Sequence, residues 1–299
     1  MNRIRIGVDV GGTKTSAGVA DETGHLLARV EGPGAAVRPG HALAAASVIA
    51  DVARRALAAA GRLTGDVLCV GAAGAGRDTE REELRSSLRS EGLAPTVMVT
   101  TDIEIALLAA FEDGPGIVVS AGTGSVAVGR DRTGKQQRIG GYGWQMGDEG
   151  SGYSIGRAAL GAVSRAIDGR SPSTALTERV LAATHTDTFD ALVRWAAGAS
   201  AAEVAALAPR VLEVAAEGDL LAQGIADYAA RELSQLAICL LPLMEVDHPV
   251  GVAITGGLLS PDRPLRHSVI ARLREVPGLR PIETPVDAVL GALRLASSA

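Results

Sequence analysis

Short apolar runs separated by turn residues alternate with longer segments of helical periodicity along the first third of the chain. The runs predict strands at 3–10, 15–20, 25–31, 67–71 and 96–100, and the periodic segments predict helices at 40–61, 80–91 and 103–111. The first three strands are predicted to be joined by hairpin turns, and the later strands alternate with helices. This order predicts an α/β fold whose ligands bind at the carboxyl ends of the strands.

The turn cluster at 113–116 predicts the boundary between two domains, 1–113 and 114–299. The second half continues with another hairpin, a glycine-rich loop, an alanine-rich helical region to about 246 and a last apolar strand. That strand, 250–255, runs into Gly256-Gly257, and the final helix, 286–295, is a candidate to pack back on the first domain.

One glycine turn and its following hairpin occur twice. The strand entering Gly11-Gly12-Thr13-Lys14-Thr15 has a counterpart entering Gly122-Thr123-Gly124-Ser125. Gly12, Thr13, Ala17, Asp21, Thr23 and Gly24 fall opposite Gly122, Thr123, Ala127, Asp131, Thr133 and Gly134. The repeat predicts two related domains that face one ligand.

Composition narrows the class of protein. The 299 residues are 47% hydrophobic and 21% charged, with a formal net charge of −5 and no basic stripe, which argues against nucleic-acid binding. We see no charged-then-apolar leader and no apolar run near the roughly 18 residues that cross a bilayer. The two cysteines, Cys69 and Cys239, lie in apolar runs and are expected to be buried and unpaired. We therefore expect a reduced, cytoplasmic protein.

The first glycine turn carries candidate phosphate chemistry. Glycine lets backbone N–H groups approach an anion, and Thr13, Lys14 and Thr15 add side-chain donors. Asp9, at the end of a buried strand, is a candidate to hold Mg²⁺ through its water shell. An ordinary hairpin turn with a surface lysine is the alternative, which the second copy at Gly122, Thr123, Gly124 and Ser125 disfavours.

Two further strand ends point to the same chemistry. Gly256-Gly257 suits an adenosine lying against the backbone. Asp102 follows an apolar strand and opens a helix, so it is a candidate general base for an attacking hydroxyl. The alternative for Asp102 is a helix N-cap, and one residue can serve both roles.

The segment 140–153 combines glycines, carboxylates and aromatic residues. Aromatics make up only 2% of the chain, yet Tyr142, Trp144 and Tyr153 all lie here. Aromatic faces beside Asp148 and Glu149 suit a sugar ring, which offers C–H faces and hydroxyl groups. The alternatives are aromatics that fill a core gap and a carboxylate that caps the next helix. The five histidines are scattered, which favours surface positions and no metal set.

These motifs, in this order, resemble the sugar kinases of the actin/hexokinase/Hsp70 ATPase superfamily. Within it, the chain is similar to N-acetylglucosamine kinases and to the BadF/BadG/BcrA/BcrD ATPases over essentially its whole length. The resemblance rests on two phosphate motifs, the Thr101-Asp102 strand end, the glycine loop with Gly147-Asp148-Glu149-Gly150 and the adenosine motif. It implies two ribonuclease H-like (actin-like ATPase) domains around a central nucleotide and sugar cleft.

The resemblance also implies an activity: phosphorylation of the 6-hydroxyl of an amino sugar, dependent on ATP and Mg²⁺. Asp102 matches the family's base. The positions that match its sugar contacts are Thr123, Gly141, Tyr142, Asp148 and Gly152. Such kinases are often homodimers. The sequence leaves glucosamine, N-acetylglucosamine and N-acetylmuramate open as substrates.

Two departures from the family concern the sugar. Tyr142 stands where tryptophan is usual, and the segment Gly34-Ala35-Ala36 lacks an asparagine that often holds the sugar. Two other functions of the same fold remain as alternatives. An ATP-driven activator needs cysteines for an iron–sulfur cluster, and a sugar-sensing regulator usually carries a DNA-binding segment.

Overall fold

The computed structural model describes residues 3–299. The chain divides into two compact units: unit 1 is Met1–Gly114 with Val286–Ala299, and unit 2 is Pro115–Pro285. Among the described residues, no helix combines the length and the apolar character that a membrane span requires.

Unit 1 is built on a five-stranded sheet of order β3-β2-β1-β4-β5. Strand β2 runs antiparallel to both of its neighbours, β1 and β3, whereas β4 and β5 continue the sheet parallel to β1. Its strands are β1 (Arg5–Val10), β2 (Lys14–Ala20), β3 (Leu26–Pro33), β4 (Val67–Ala72) and β5 (Thr96–Thr100). Its helices are α1 (Ala42–Ala59), α2 (Asp78–Ser90), α3 (Asp102–Phe111) and α11 (Ala288–Ser297), the last helix of the chain.

Helix α11 packs directly against the sheet and α3. A side chain at Gly7 in β1 would collide with Leu293, and one at Gly291 would stand 1.8 Å from the carbonyl oxygen of Ile105 in α3. Glycine at both positions therefore permits backbone contact at van der Waals distance. Most of the buried apolar residues of the sheet form one core with α1 and α2.

Unit 2 has a second five-stranded sheet, of order β10-β9-β6-β7-β8. Its strands are β6 (Gly116–Ala121), β7 (Ser125–Arg130), β8 (Gln136–Gly140), β9 (Val250–Thr255) and β10 (Leu279–Ile282). Between β8 and β9 lie α4 (Gly152–Ile167), α5 (Leu176–Ala183), α6 (Phe189–Gly198), α7 (Ala201–Ala205), α8 (Ala208–Ala216) and α9 (Leu220–Leu240), and α10 (Pro264–Arg274) precedes β10.

The predicted repeat is present in atomic detail. In both sheets a three-stranded antiparallel array is extended by two parallel strands. The turns that close the second hairpins also match: Asp21 accepts hydrogen bonds from the Thr23 N–H and hydroxyl at 2.9 and 2.6 Å, and Asp131 accepts the same bonds from Thr133 at the same distances. The predicted correspondence between the turns at Asp21 and Asp131 is therefore confirmed.

Three expectations need correction. The strand at 250–255 is not the last, because β10 follows it with a register parallel to β9. The final helix begins two residues later than predicted. Cys239 is exposed, so the expectation of burial was wrong, whereas Cys69 is buried as expected. Consecutive helical residues point about 100° apart, and Cys239 falls outside the buried stripe that Ala237 and Leu240 share.

Candidate active site

The loop between β1 and β2 presents backbone donors. Gly11 N–H closes the turn on the Lys14 carbonyl at 2.9 Å. The N–H groups of Gly12 and Thr13 donate to no atom of residues 3–299, and both residues are exposed. Two adjacent N–H groups without internal partners form the kind of concavity that binds phosphate oxygens.

A neighbouring segment holds this loop in shape. Gly34 N–H donates to the Thr13 carbonyl and Ala35 N–H to the Gly11 carbonyl, both at 3.1 Å. A side chain at Gly34 would stand 2.3 Å from the Gly12 carbonyl oxygen, so only glycine fits. Ala35, in the segment that lacks the family's asparagine, is buried. This segment therefore braces the glycine turn through its backbone.

Lys14 and Thr15 were also predicted to donate to phosphate from the first glycine turn. Lys14 is in an ion pair, and Thr15 is buried. Lys14 forms an ion pair with Glu31 at 2.7 Å across β2 and β3. Thr15 is fully buried on the sheet face that it shares with Val10, and its hydroxyl has no partner among the described residues. The Thr15 hydroxyl thus lies in the interior of unit 1 and not at the surface of the turn.

Asp102 is the first residue of α3, but it is not the N-cap. Thr101 takes that role: its hydroxyl accepts the Glu104 N–H, and the Glu104 carboxylate accepts the Thr101 N–H at 3.1 Å. The alternative that Asp102 is the N-cap of α3 is therefore wrong, because Thr101 and Glu104 form the capping box. The Asp102 carboxyl group lies at the N-terminal end of α3, which is the positive end of the helix dipole.

Asp9, the penultimate residue of β1, lies in an electrostatically unfavourable position. Burial, and after it the nearby Asp102 charge, raise the pKa of its carboxyl group from an ordinary value of 3.8 to about 7. The Lys14 and Arg29 charges lower the Asp9 pKa, whereas Asp287 raises it. A carboxylate with little solvent and a second negative charge nearby is stabilised by a cation.

The carboxyl groups of Asp9 and Asp102 fit a hydrated magnesium ion, which needs few protein ligands. Among residues 3–299, no three His, Cys, Asp or Glu side chains lie close enough to hold a metal by themselves. Mg²⁺ characteristically keeps several waters and uses one or two carboxylates together with substrate phosphates. Asp9, with Asp102 nearby, is suited to that arrangement.

An ion pair that was not predicted from the sequence lies near Asp9. Arg29 in β3 contacts Asp287, just before α11, at 2.6 Å. Asp287 holds the N-cap position of α11 but makes no side-chain cap hydrogen bond; its Oδ2 accepts the hydrogen bond from Arg29. The two residues are 258 positions apart, so no local pattern relates them.

The corresponding loop of unit 2 rests on the start of α4. The carbonyl oxygens of Gly122 and Thr123 accept the N–H groups of Gly152 and Tyr153 at 2.8 and 3.2 Å. Gly122 N–H donates to the Gly124 carbonyl, and the N–H groups of Thr123 and Gly124 donate to no atom of the described chain. Like the first loop, this one presents two adjacent backbone donors.

Two hydroxyl groups beside this loop are used within unit 2. Ser125 donates its hydroxyl to the Glu149 carbonyl at 2.7 Å. Ser151 is the N-cap of α4 and accepts the Ser154 N–H at 3.2 Å. The cap of α4 is therefore neither Asp148 nor Glu149, which corrects the alternative raised for those carboxylates.

Asp148 connects the glycine-rich segment to the second loop. It is 8% exposed and adopts a left-handed backbone conformation, with φ of 62°. Burial raises the pKa of its carboxyl group, and the approaching N–H groups of Ser125 and Gly143 lower it. A side chain at Gly124 would stand 2.6 Å from the Asp148 carboxylate, so glycine is required for this contact.

The aromatic residues of the glycine-rich segment do not fill a core gap. Tyr142 is 66% exposed and Trp144 is 44% exposed. Trp144 packs on Tyr153 with ring centroids 4.8 Å apart, and the Arg138 guanidinium lies 5.9 Å from the Tyr142 ring. Gly141 has φ of 71° and begins the turn that exposes these rings. The surface has the apolar faces and polar groups that bind sugars.

The third glycine turn follows β9. Gly256 has φ of 98°, and a side chain there would stand 2.3 Å from the Ala121 carbonyl oxygen. Its own carbonyl accepts the Leu259 N–H at 2.9 Å. Gly257 faces open space. The turn thus leaves Gly257, the first residue of a 3-10 helix, exposed with open space beside it.

Comparison with solved structures defines the class of fold. A Chromobacterium violaceum protein described as a candidate N-acetylglucosamine kinase superposes with a TM-score of 0.84 and 29% identity, covering 98% of this chain and 99% of that one. A ROK family glucokinase from Streptomyces griseus, at 22% identity and a TM-score of 0.59, shares the fold over 99% of this chain and 100% of that one. The two units therefore have the two-domain, ribonuclease H-like fold of actin-like ATPases and hexokinases.

The chain belongs to the BadF/BadG/BcrA/BcrD ATPase family, whose model it matches over residues 6–296. It is similar to the N-acetylmuramic acid/N-acetylglucosamine kinase of Clostridium acetobutylicum, at 34% identity over 64% of this chain and 63% of that relative. It is also similar to the N-acetyl-D-glucosamine kinase of Dictyostelium discoideum, at 29% identity over 98% of this chain and 97% of that relative.

Proposed function

We propose that this protein is a kinase that uses ATP and Mg²⁺ to phosphorylate the 6-hydroxyl of an amino sugar, N-acetylglucosamine or glucosamine. The observation that carries the proposal is Asp102 at the start of α3, near Asp9 and in the same unit as a loop with two unpartnered N–H groups. The kinases among its relatives support the reaction class.

In this proposal the backbone loops hold phosphate groups. The N–H groups of Gly12 and Thr13 in unit 1, and of Thr123 and Gly124 in unit 2, donate to phosphate oxygens. The turn at Gly256 and Gly257 supports the adenosine. Asp9 would hold the hydrated Mg²⁺, which supplies positive charge against the phosphate oxygens when bound.

Asp102 acts as the general base. Its carboxylate accepts the proton of the sugar 6-hydroxyl as that oxygen bonds to the γ-phosphorus of ATP. The bond between the γ-phosphorus and the bridging oxygen breaks, and ADP leaves with the electron pair. Such transfers depend chiefly on positioning and charge stabilisation. Tyr142, with Gly141, Asp148 and Gly152, is proposed to form the sugar contacts of unit 2.

The test measures ADP release with glucosamine, N-acetylglucosamine, N-acetylmuramate, glucose and no sugar. Asp102→Asn should lower kcat about 10²–10⁴-fold. Asp78→Asn is the matched control, because Asp78 is likewise the first residue of a helix and is exposed; it should leave kcat unchanged. A 6-deoxy amino sugar should not be phosphorylated.

Three outcomes would contradict the proposal. Sugar-independent ATP hydrolysis would favour an ATP-driven activator. Sugar binding without turnover would favour a sensor. If Asp102→Asn keeps most of its kcat, the assignment of the base is wrong.

A further inference from the structure

Arg266 in α10 is a buried cation that the candidate site has not used. It is 3% exposed, although arginine is seldom buried without a charged partner. Its Nη1 donates to the carbonyl oxygens of Ile254 and Leu259, and its Nη2 to that of Glu283, each at 2.9 Å. All three acceptors are backbone atoms of unit 2.

The acceptors surround the third glycine turn. Ile254 lies in β9 just before Gly256, Leu259 ends the 3-10 turn that starts at Gly257, and Glu283 follows β10. One side chain therefore ties together the strand that enters the turn, the segment that leaves it and the neighbouring strand end. Arginine's planar fork suits several acceptors in fixed directions, and a lysine ammonium does not reproduce it.

The charge of Arg266 is not neutralised by a close carboxylate. Among the described residues, no Asp or Glu oxygen lies within ion-pair distance of it, and the Glu283 carboxylate pairs instead with Arg274. Burial lowers the pKa of Arg266 and the Glu283 charge opposes that change, but arginine remains protonated in proteins. A positive charge thus stays buried beside the turn.

We propose that Arg266 is a positioning residue for nucleotide binding: it holds the Gly256–Gly257 turn in shape, and its buried charge favours a phosphorylated adenosine there. This inference rests on the proposed function, which assigns that turn to the nucleotide. It predicts an effect on nucleotide affinity that is separate from any effect on the sugar.

The test compares Arg266→Lys with Arg272→Lys. Arg272 is in the same helix but partly exposed, with a carboxylate partner in Asp227. Arg266→Lys should raise KM for ATP and Kd for ADP about tenfold, which corresponds to about 1.4 kcal/mol of binding free energy. It should leave kcat and KM for the sugar within about twofold, because Arg266 acts on the turn assigned to the nucleotide, and a uniform loss of nucleotide binding changes KM for ATP and not kcat. Arg272→Lys should change none of these.

Two further measurements keep the inference separate from stability and from the proposed function. In Arg266→Ala, added guanidinium should restore part of the ADP affinity, which a general loss of folding does not allow. ADP binding to the wild-type chain is measured by calorimetry without sugar. If the wild type binds ADP and folded Arg266→Lys binds it with unchanged affinity, only this inference is wrong. If the wild type does not bind ADP, the proposed function is wrong.

Discussion

Replacing Asp9 with asparagine removes a carboxyl group whose charged form is disfavoured by burial. Asparagine has nearly the same shape and stays neutral at every pH. In the wild type, burial and the nearby Asp102 charge raise the pKa of Asp9 to about 7. We therefore expect Asp9→Asn to make the metal-free protein more stable at pH 8, although it should abolish the proposed activity.

The sign and size of the effect follow from the two pKa values. Between pH 4 and 7 the folded state keeps the proton on Asp9 while the unfolded state has released it. Wild-type stability therefore falls as the pH rises through this window. The difference between the ordinary pKa of 3.8 and the folded-state pKa of about 7 corresponds to roughly 4 kcal/mol in the free energy of unfolding. This figure is an upper bound because Asp9 keeps some contact with solvent. Below pH 4 the variant and the wild type should be equally stable.

The assay must report on unit 1, and the two tryptophans, Trp144 and Trp195, both lie in unit 2. Cys69, fully buried in β4, provides a probe, because its thiol reacts only when unit 1 opens. Urea unfolding is followed by thiol reaction in a Cys239→Ser chain, with and without Asp9→Asn, at pH 4, 6 and 8. The difference between the two chains should grow with pH.

Magnesium gives a second readout. Binding to the folded state alone stabilises a protein by mass action. At pH 8, Mg²⁺ should therefore stabilise the wild type and have little effect on Asp9→Asn. An Asp9→Asn chain that is no more stable than the wild type at pH 8, or a stability difference that does not change between pH 4 and 8, would contradict this prediction.

Two further predictions test the thiols and the second glycine loop. In the folded protein an aromatic disulfide reagent should titrate Cys239 only, because burial raises the pKa of Cys69 to about 12; two thiols in the native state would contradict the burial. Gly124→Ala should cost about 1–3 kcal/mol in the free energy of unfolding of unit 2, measured by tryptophan fluorescence in urea, because its Cβ would stand 2.6 Å from the Asp148 carboxylate. Gly122→Ala, whose Cβ meets nothing within 4 Å, is the control, and an equal loss in both would refute this account.

Local chemistry let the sequence predict much of the fold. The repeated hairpins were recognisable because Asp21 and Asp131 each begin the same turn, and Gly24 and Gly134 adopt φ of 84° and 83° there. These preferences act over a few residues, so they are visible in the sequence. The candidate site residues at strand ends could be chosen for the same reason, and their roles remain predictions.

The sequence by itself determined where strands end in glycine turns, because backbone conformation and turn hydrogen bonds depend on neighbours along the chain. Only the tertiary structure decided which groups lose water and which distant groups meet. It set the raised pKa of Asp9, the pairing of Arg29 with Asp287 and the carbonyl cage around Arg266. Each depends on packing between segments far apart in the chain, and burial and charge interactions are properties of that packing.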